Sequence, residues 1–241
     1  MKKSANYWMV GGFDGAVPVA QAAKTAKDLG YDAIEFCFGA GELTPGASEA
    51  ELARLRMDVE RTGIEIASFA TGGYWGKALS SPDEAERGEA VAFTEAYVKA
   101  AHAFGTDTVL VIPGTVDVPW DSSRPVVPAK KAAEMARRSI QSLLPLAEKL
   151  GVVLALENVW GKFLTGPFEM ASFIDAFDSP FVKSYFDAGN CLINGYSEHW
   201  IEILGARIQR VHMKNFTRDG GGGTLANFTG SLLEGDANWP A

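Results

Sequence analysis

The sequence predicts an α/β fold, a barrel of the (β/α)8 type with its final βα unit absent, and three observations predict it. Short β-rich runs alternate with longer stretches of helical period, the pattern of parallel strands joined by crossover helices. The 241 residues are 47% hydrophobic, enough for one large core and close to the roughly 250 residues of such a barrel, so 1–241 is expected to be one domain. Side chains able to hold a metal stand at the ends of three successive strands, on the face where barrels of this kind build their sites.

The first strand is expected over Tyr7 to Phe13, and the first helix over Val19 to Leu29, closed by Gly30. Asp32 to Phe38 forms the second strand. Ser48 and Glu51 make a capping box for a helix running to about Thr62, after which Gly63 admits a strand over Ile64 to Phe69. A helix from Asp83 to Phe104 precedes the continuous apolar run within Thr108 to Gly114, as in a strand buried on both faces. The Pro-rich stretch Val116 to Pro128 is a loop. A long helix then covers Ala129 to Leu150, with Pro145 inside it, and Gly151 ends it. Strands over Val152 to Leu156, Val182 to Phe186 and Ile208 to Val211 follow, with a helix over Phe168 to Phe177 between the first two. That makes seven strands, and an eighth is expected in a native product continuing for about 30 to 45 residues, one further βα unit. The open edges of the first and last strands are expected to promote association into homo-oligomers.

The last three strands deliver Glu157, Asp187 and His212. Neighbouring strands lie about 4.8 Å apart, so these side chains can converge on one ion. Two carboxylates and an imidazole suit one divalent metal ion, Mn²⁺, Co²⁺, Mg²⁺ or Zn²⁺, with positions left for substrate oxygens.

The segments Leu156-Glu157-Asn158-Val159-Trp160, Tyr185-Phe186-Asp187-Ala188-Gly189-Asn190, Val211-His212-Met213-Lys214-Asn215-Phe216 and Leu233-Glu234-Gly235-Asp236 carry a resemblance. Together they resemble the sugar phosphate isomerase/epimerase family of xylose isomerase-like TIM barrels, which includes ketose 3-epimerases and hydroxypyruvate isomerases. The resemblance implies that Glu157, Asp187 and His212 are metal ligands and that Glu157 also moves the proton. It implies a small-molecule partner, a ketose or ketose phosphate, isomerised or epimerised through an enediolate. Arg218 matches a spacing after the histidine that some ketose epimerases use to hold substrate. In those enzymes a second catalytic glutamate comes from the eighth strand, and Glu234, in a loop segment of the family, is not its counterpart. Without that residue the chain is better equipped for one-base isomerisation than for epimerisation. Two alternatives stay open, a metal-dependent dehydratase of a sugar or cyclitol and a binding barrel without turnover.

Other residues are weighed beside these. Glu35, an acid in an apolar strand, either touches substrate hydroxyls or is satisfied by a structural hydrogen bond. Lys214 orients substrate, pairs with Asp187 or Glu157, or is a solvated lysine, and Trp160 and Trp75 wall the pocket or pack the core. His102 and His199 are surface or packing residues. The run Gly220 to Gly223 lacks the Lys-Ser/Thr of a phosphate loop and is a flexible loop. Cys37 and Cys191 have no histidine partner in view and imply no disulfide framework. With no signal peptide or membrane-length apolar run, a reducing cytoplasm is expected. A net charge of -8 and three histidines argue against nucleic acid as a partner and against the His-rich metal cluster of a repair endonuclease.

Overall fold

The computed structural model describes residues 1–220, 223–228 and 230–240. Its strands are β1 Ser4–Asn6, β2 Ala33–Cys37, β3 Glu65–Ala70, β4 Thr108–Val111, β5 Val153–Glu157, β6 Val182–Asp187 and β7 Ile208–His212, in the sheet order β1-β2-β3-β4-β5-β6-β7. The pairings of β1 with β2, β2 with β3, β3 with β4 and β6 with β7 are parallel. Parallel neighbours need a crossover, and helices supply each one. These are α1 Tyr7–Gly11, α2 Val19–Asp28, α3 Glu49–Glu60, α4 Glu84–Phe104, α5 Ala129–Leu150, α6 Pro167–Asp175 and α7 Ser197–Leu204. Among the described residues no strand follows β7, and no helix is long and apolar enough to cross a membrane. Gly221 and Gly222 of the glycine run lie outside the described residues.

Local chemistry sets the helix ends. The Ser48 hydroxyl accepts from the Glu51 amide at 3.3 Å while the Glu51 carboxylate takes the Ser48 amide at 2.8 Å, the reciprocal cap expected for α3. Gly151 leaves α5 at φ 67°, where a side chain would be strained. Along α5 the buried positions Ala132, Met135, Ala136, Ser139, Ile140, Leu143, Leu144 and Ala147 recur every three or four residues, and the helix runs through Pro145.

The expected first strand is corrected. Tyr7 to Gly11 is helical, and the strand lies just upstream at Ser4–Asn6. Asn6 caps the helix by accepting from the Trp8 amide at 2.8 Å, and the Tyr7 ring folds back over Gly11, where a Cβ would lie 2.4 Å from the ring. The apolar run that resembled strand alternation therefore packs residues four apart. Helix α7 was also unforeseen, its buried face being only Ser197, Trp200 and Leu204.

The chain gathers into two compact units, one of Met1–Lys77, Gly88–Val111 and Ser142–Leu154, the other of Ala78–Arg87, Ile112–Gln141 and Ala155–Ala241. The first has an aromatic core in which Phe69 stacks on Phe38 and Tyr97, with ring centroids 6.3 and 6.2 Å away, and meets Phe104 at 5.2 Å. The second packs Phe163, Phe173 and Phe177 edge to face and Phe186 against Trp200. In it the Pro-rich loop is pinned where the Val127 amide donates to the Val116 carbonyl at 2.8 Å.

Candidate metal centre

Glu157, Asp187 and His212 are each the last residue of their strand, β5, β6 and β7. Asp187 and His212 face each other in the β6–β7 register. The end of β5 is fastened to the end of β6 by one side chain: Asn158 Oδ1 accepts from the Asp187 amide at 2.8 Å and its Nδ2 donates to the Asp187 carbonyl at 2.9 Å. Asn190 Nδ2 in turn donates to the Asn158 carbonyl at 2.9 Å. Gly189 lets this turn sit against the chain after β7, since a Cβ there would lie 2.8 Å from the Lys214 carbonyl oxygen.

One ligand atom from each of the three side chains lies within 4.8 Å of the others, and Glu157 and Asp187 are buried. His212 Nδ1 is 3.2 Å from Glu157 Oε1 and 3.9 Å from Asp187 Oδ2. Burial pushes the Glu157 carboxyl above the ordinary carboxylate range; the hydrogen bond and charge of His212 pull against that, and Asp187 adds to the upward push. Asp187 Oδ1 accepts from the Gly189 and Asn190 amides at 2.9 and 2.7 Å. Its Oδ2 accepts no hydrogen bond although Lys214 Nζ is 2.7 Å away, because that contact has ion-pair distance without hydrogen-bond alignment. A buried carboxylate oxygen that accepts no hydrogen bond and has a cation beside it, next to a second carboxylate and an imidazole, fits a divalent cation.

The family model for the xylose isomerase-like TIM barrel matches residues 23–241. The chain belongs to that family. No curated protein matches the chain. Among solved structures, this xylose isomerase-like barrel is similar to a D-psicose 3-epimerase determined in the presence of D-fructose, with 21% identity and a TM-score of 0.76 over 91% of this chain and 76% of the other. It is similar to the D-psicose 3-epimerase of Clostridium cellulolyticum H10 with D-tagatose, at 20% identity, TM-score 0.79, 89% of this chain and 73% of the other. An L-ribulose 3-epimerase gives 17% identity and TM-score 0.75 over 93% of this chain and 74% of the other.

Of the remaining candidates in this family member, Trp160 is tied to the ligand framework through Asn190. Its ring meets Phe216 and Phe228 at 5.5 and 4.9 Å, and its Nε1 donates to the Asn190 carbonyl at 3.1 Å. It also walls a cavity of about 420 Å³ with Asn158, Asn190, Leu164, Ile193 and Trp200, a space that shares the two asparagines with the ligand framework and none of the three ligands themselves. The Arg218 guanidinium is committed to backbone, its Nε donating to the Leu192 carbonyl at 2.8 Å and its Nη2 to that of Gly195, over the Tyr196 ring. Glu35 and Trp75 belong to the other unit. There the Glu35 carboxylate accepts from Asn6 Nδ2 at 2.6 Å and from the Ser68 hydroxyl at 2.8 Å, a polar row in register across β1, β2 and β3. Glu234 is an exposed turn residue, and His102 and His199 contact the Leu150 carbonyl and the Tyr196 ring. Asn158 and Asn190 escaped attention as site residues. Their signal was their place directly after Glu157 and at the end of the D-x-G-N segment.

Both cysteines are buried and unpaired by disulfide. Burial, with Glu35 second, raises the Cys37 thiol above its ordinary range, and burial, with Asp187 adding to it, raises Cys191 from 9.0 to about 12. A thiol raised in the folded chain ionises first in the unfolded one, so stability is lost as pH climbs above the ordinary value, by about 1.4 kcal/mol per pH unit per thiol. Urea midpoints for the native chain are expected to fall between pH 8 and pH 10.5 more steeply than those of Cys191→Ala. Equal slopes would remove Cys191 as a contributor.

Proposed function

We propose that this chain is a divalent-metal-dependent isomerase or epimerase of a ketose or ketose phosphate, working through an enediolate. The convergence of Glu157, Asp187 and His212 at three strand ends, with both carboxylates buried, carries the reading. Its similarity to structures described as ketose 3-epimerases, two of them determined with D-fructose or D-tagatose, supports a ketose as substrate.

Glu157, Asp187 and His212 would hold the ion. When bound, it supplies Lewis-acid stabilisation of the charge that develops on the substrate's carbonyl and adjacent hydroxyl oxygens, worth several kcal/mol. Glu157 takes the proton from the carbon next to the carbonyl, as a carboxylate set at the end of β5 beside the ion it would help to hold. Asn158 fixes the Asp187 backbone, and the Gly189 and Asn190 amides fix its carboxylate, before substrate arrives. Trp160, held to the Asn190 carbonyl, would offer an apolar wall to a bound sugar, and Lys214 presents positive charge on the same unit, suited to substrate hydroxyls or a phosphate.

Metal content after dialysis against Mn²⁺ tests the reading directly. The native chain is expected to retain about one equivalent, and His212→Ala to bind at least about tenfold more weakly. Retention of the same amount by both would show that the ion is not held here.

A further inference from the structure

The inference concerns Lys214 and rests on the metal-site reading just given. Asp187 is fully buried, with Oδ1 saturated by two amides and Oδ2 without a hydrogen bond. Glu157 places a second buried carboxylate within 4.8 Å of it. Two such groups repel when both are ionised, and Lys214 supplies a cation, its Nζ 2.7 Å from Asp187 Oδ2.

The contact has the features of a provisional one. The ammonium is not aligned to hydrogen-bond Oδ2, and from the same position it donates to Asn190 Oδ1 at 3.4 Å and lies 5.2 Å over the Phe228 ring, contacts it can keep when it leaves Asp187. The side chain is 42% exposed, so it can swing without opening the core. Its backbone cannot follow, because it is seated against Gly189. A lysine head is a mobile point charge and is suited to such a move. A divalent ion held by the three ligands needs the same Asp187 oxygen, and the ammonium is then a like charge a few ångströms away.

We propose that Lys214 is a built-in counter-cation of the metal-free site, displaced from Asp187 Oδ2 toward Asn190 and Phe228 when a divalent ion binds. Metal uptake is thus an exchange of one cation for another, and Lys214 lowers the affinity of the site while stabilising the chain without metal. The lysine acts on the site through Asp187, as a positioning residue.

The experiment titrates Mn²⁺ alone into the metal-free native chain, Lys214→Met and Lys214→Arg by calorimetry, with thermal midpoints recorded with and without Mn²⁺. Lys214→Met is expected to bind Mn²⁺ about tenfold or more tightly than the native chain, to melt lower without metal, and to recover most of that difference when loaded. Lys214→Arg, which keeps the charge, is expected to stay within about threefold of the native affinity. Should Lys214→Met not fold, Lys214→Gln carries the same expectation. Equal or weaker Mn²⁺ binding by the uncharged variants, with the native chain still binding, would overturn the exchange and leave the metal-site reading standing. No Mn²⁺ binding by the native chain would overturn both.

Discussion

Phe69→Ala is expected to destabilise the protein by about 3–5 kcal/mol, a large fraction of the stability of a typical domain. Phe69 is completely buried on β3, and its ring meets three others: Phe38, Tyr97 and Phe104. Removing it forfeits the transfer free energy of the ring and leaves a cavity that stiff aromatic neighbours cannot close, and each aromatic pair adds about 0.5–1.5 kcal/mol beyond area burial. Phe168→Ala is the control. Phe168 is 72% exposed and should change stability by less than about 0.5 kcal/mol. Urea unfolding read at constant m separates the two. A Phe69→Ala midpoint matching the control would mean that the aromatic cluster does not hold this unit together.

The same packing explains how much of the fold was legible. Elements with a strong period and chemical punctuation emerged close to expectation: α3 between Ser48 and Gly63, α5 between Pro128 and Gly151, and β2, which crosses the core with every residue buried. What failed was local structure decided by one distant or one small contact. Nothing in Tyr7-Trp8-Met9-Val10 distinguishes a strand from a turn and a half of helix. The choice is made by the Asn6 side chain, which caps α1 while donating to Glu35 twenty-nine positions away, and by a tyrosine ring that fits only over glycine.

The candidate site divides in the same way. Glu157, Asp187 and His212 were readable because each ends a short β-rich run, and strand spacing then favours their convergence. Asn158 could be read as a neighbour of Glu157, but its bidentate hold on the Asp187 backbone joins two chain segments that only the sheet brings together. Arg218 was placed by spacing alone, and spacing does not say that two carbonyls near Tyr196 have already claimed its guanidinium. Glu35 left two readings open, and the hydrogen bonds from Asn6 and Ser68 show how its buried carboxylate is satisfied.

Glu157→Gln is expected to lower ketose turnover by about 10²- to 10⁴-fold, the usual worth of a positioned general base. The substitution preserves shape. Glutamine can still accept the hydrogen bond that His212 Nδ1 makes at 3.2 Å, so the ends of β5 and β7 have no reason to move. It removes a negative charge from a buried pair, which weakens metal binding and abolishes the proton acceptor together, and turnover alone cannot tell these apart. Saturating Mn²⁺ with turnover in D₂O can. If Glu157 moves the proton, the loaded variant loses both product formation and deuterium exchange at the carbon beside the carbonyl, by similar factors. If exchange persists while product formation falls, another residue takes the proton and Glu157 serves only to hold the ion. Turnover restored by Mn²⁺ alone would likewise confine Glu157 to metal binding, and the base would have to be sought elsewhere on the chain.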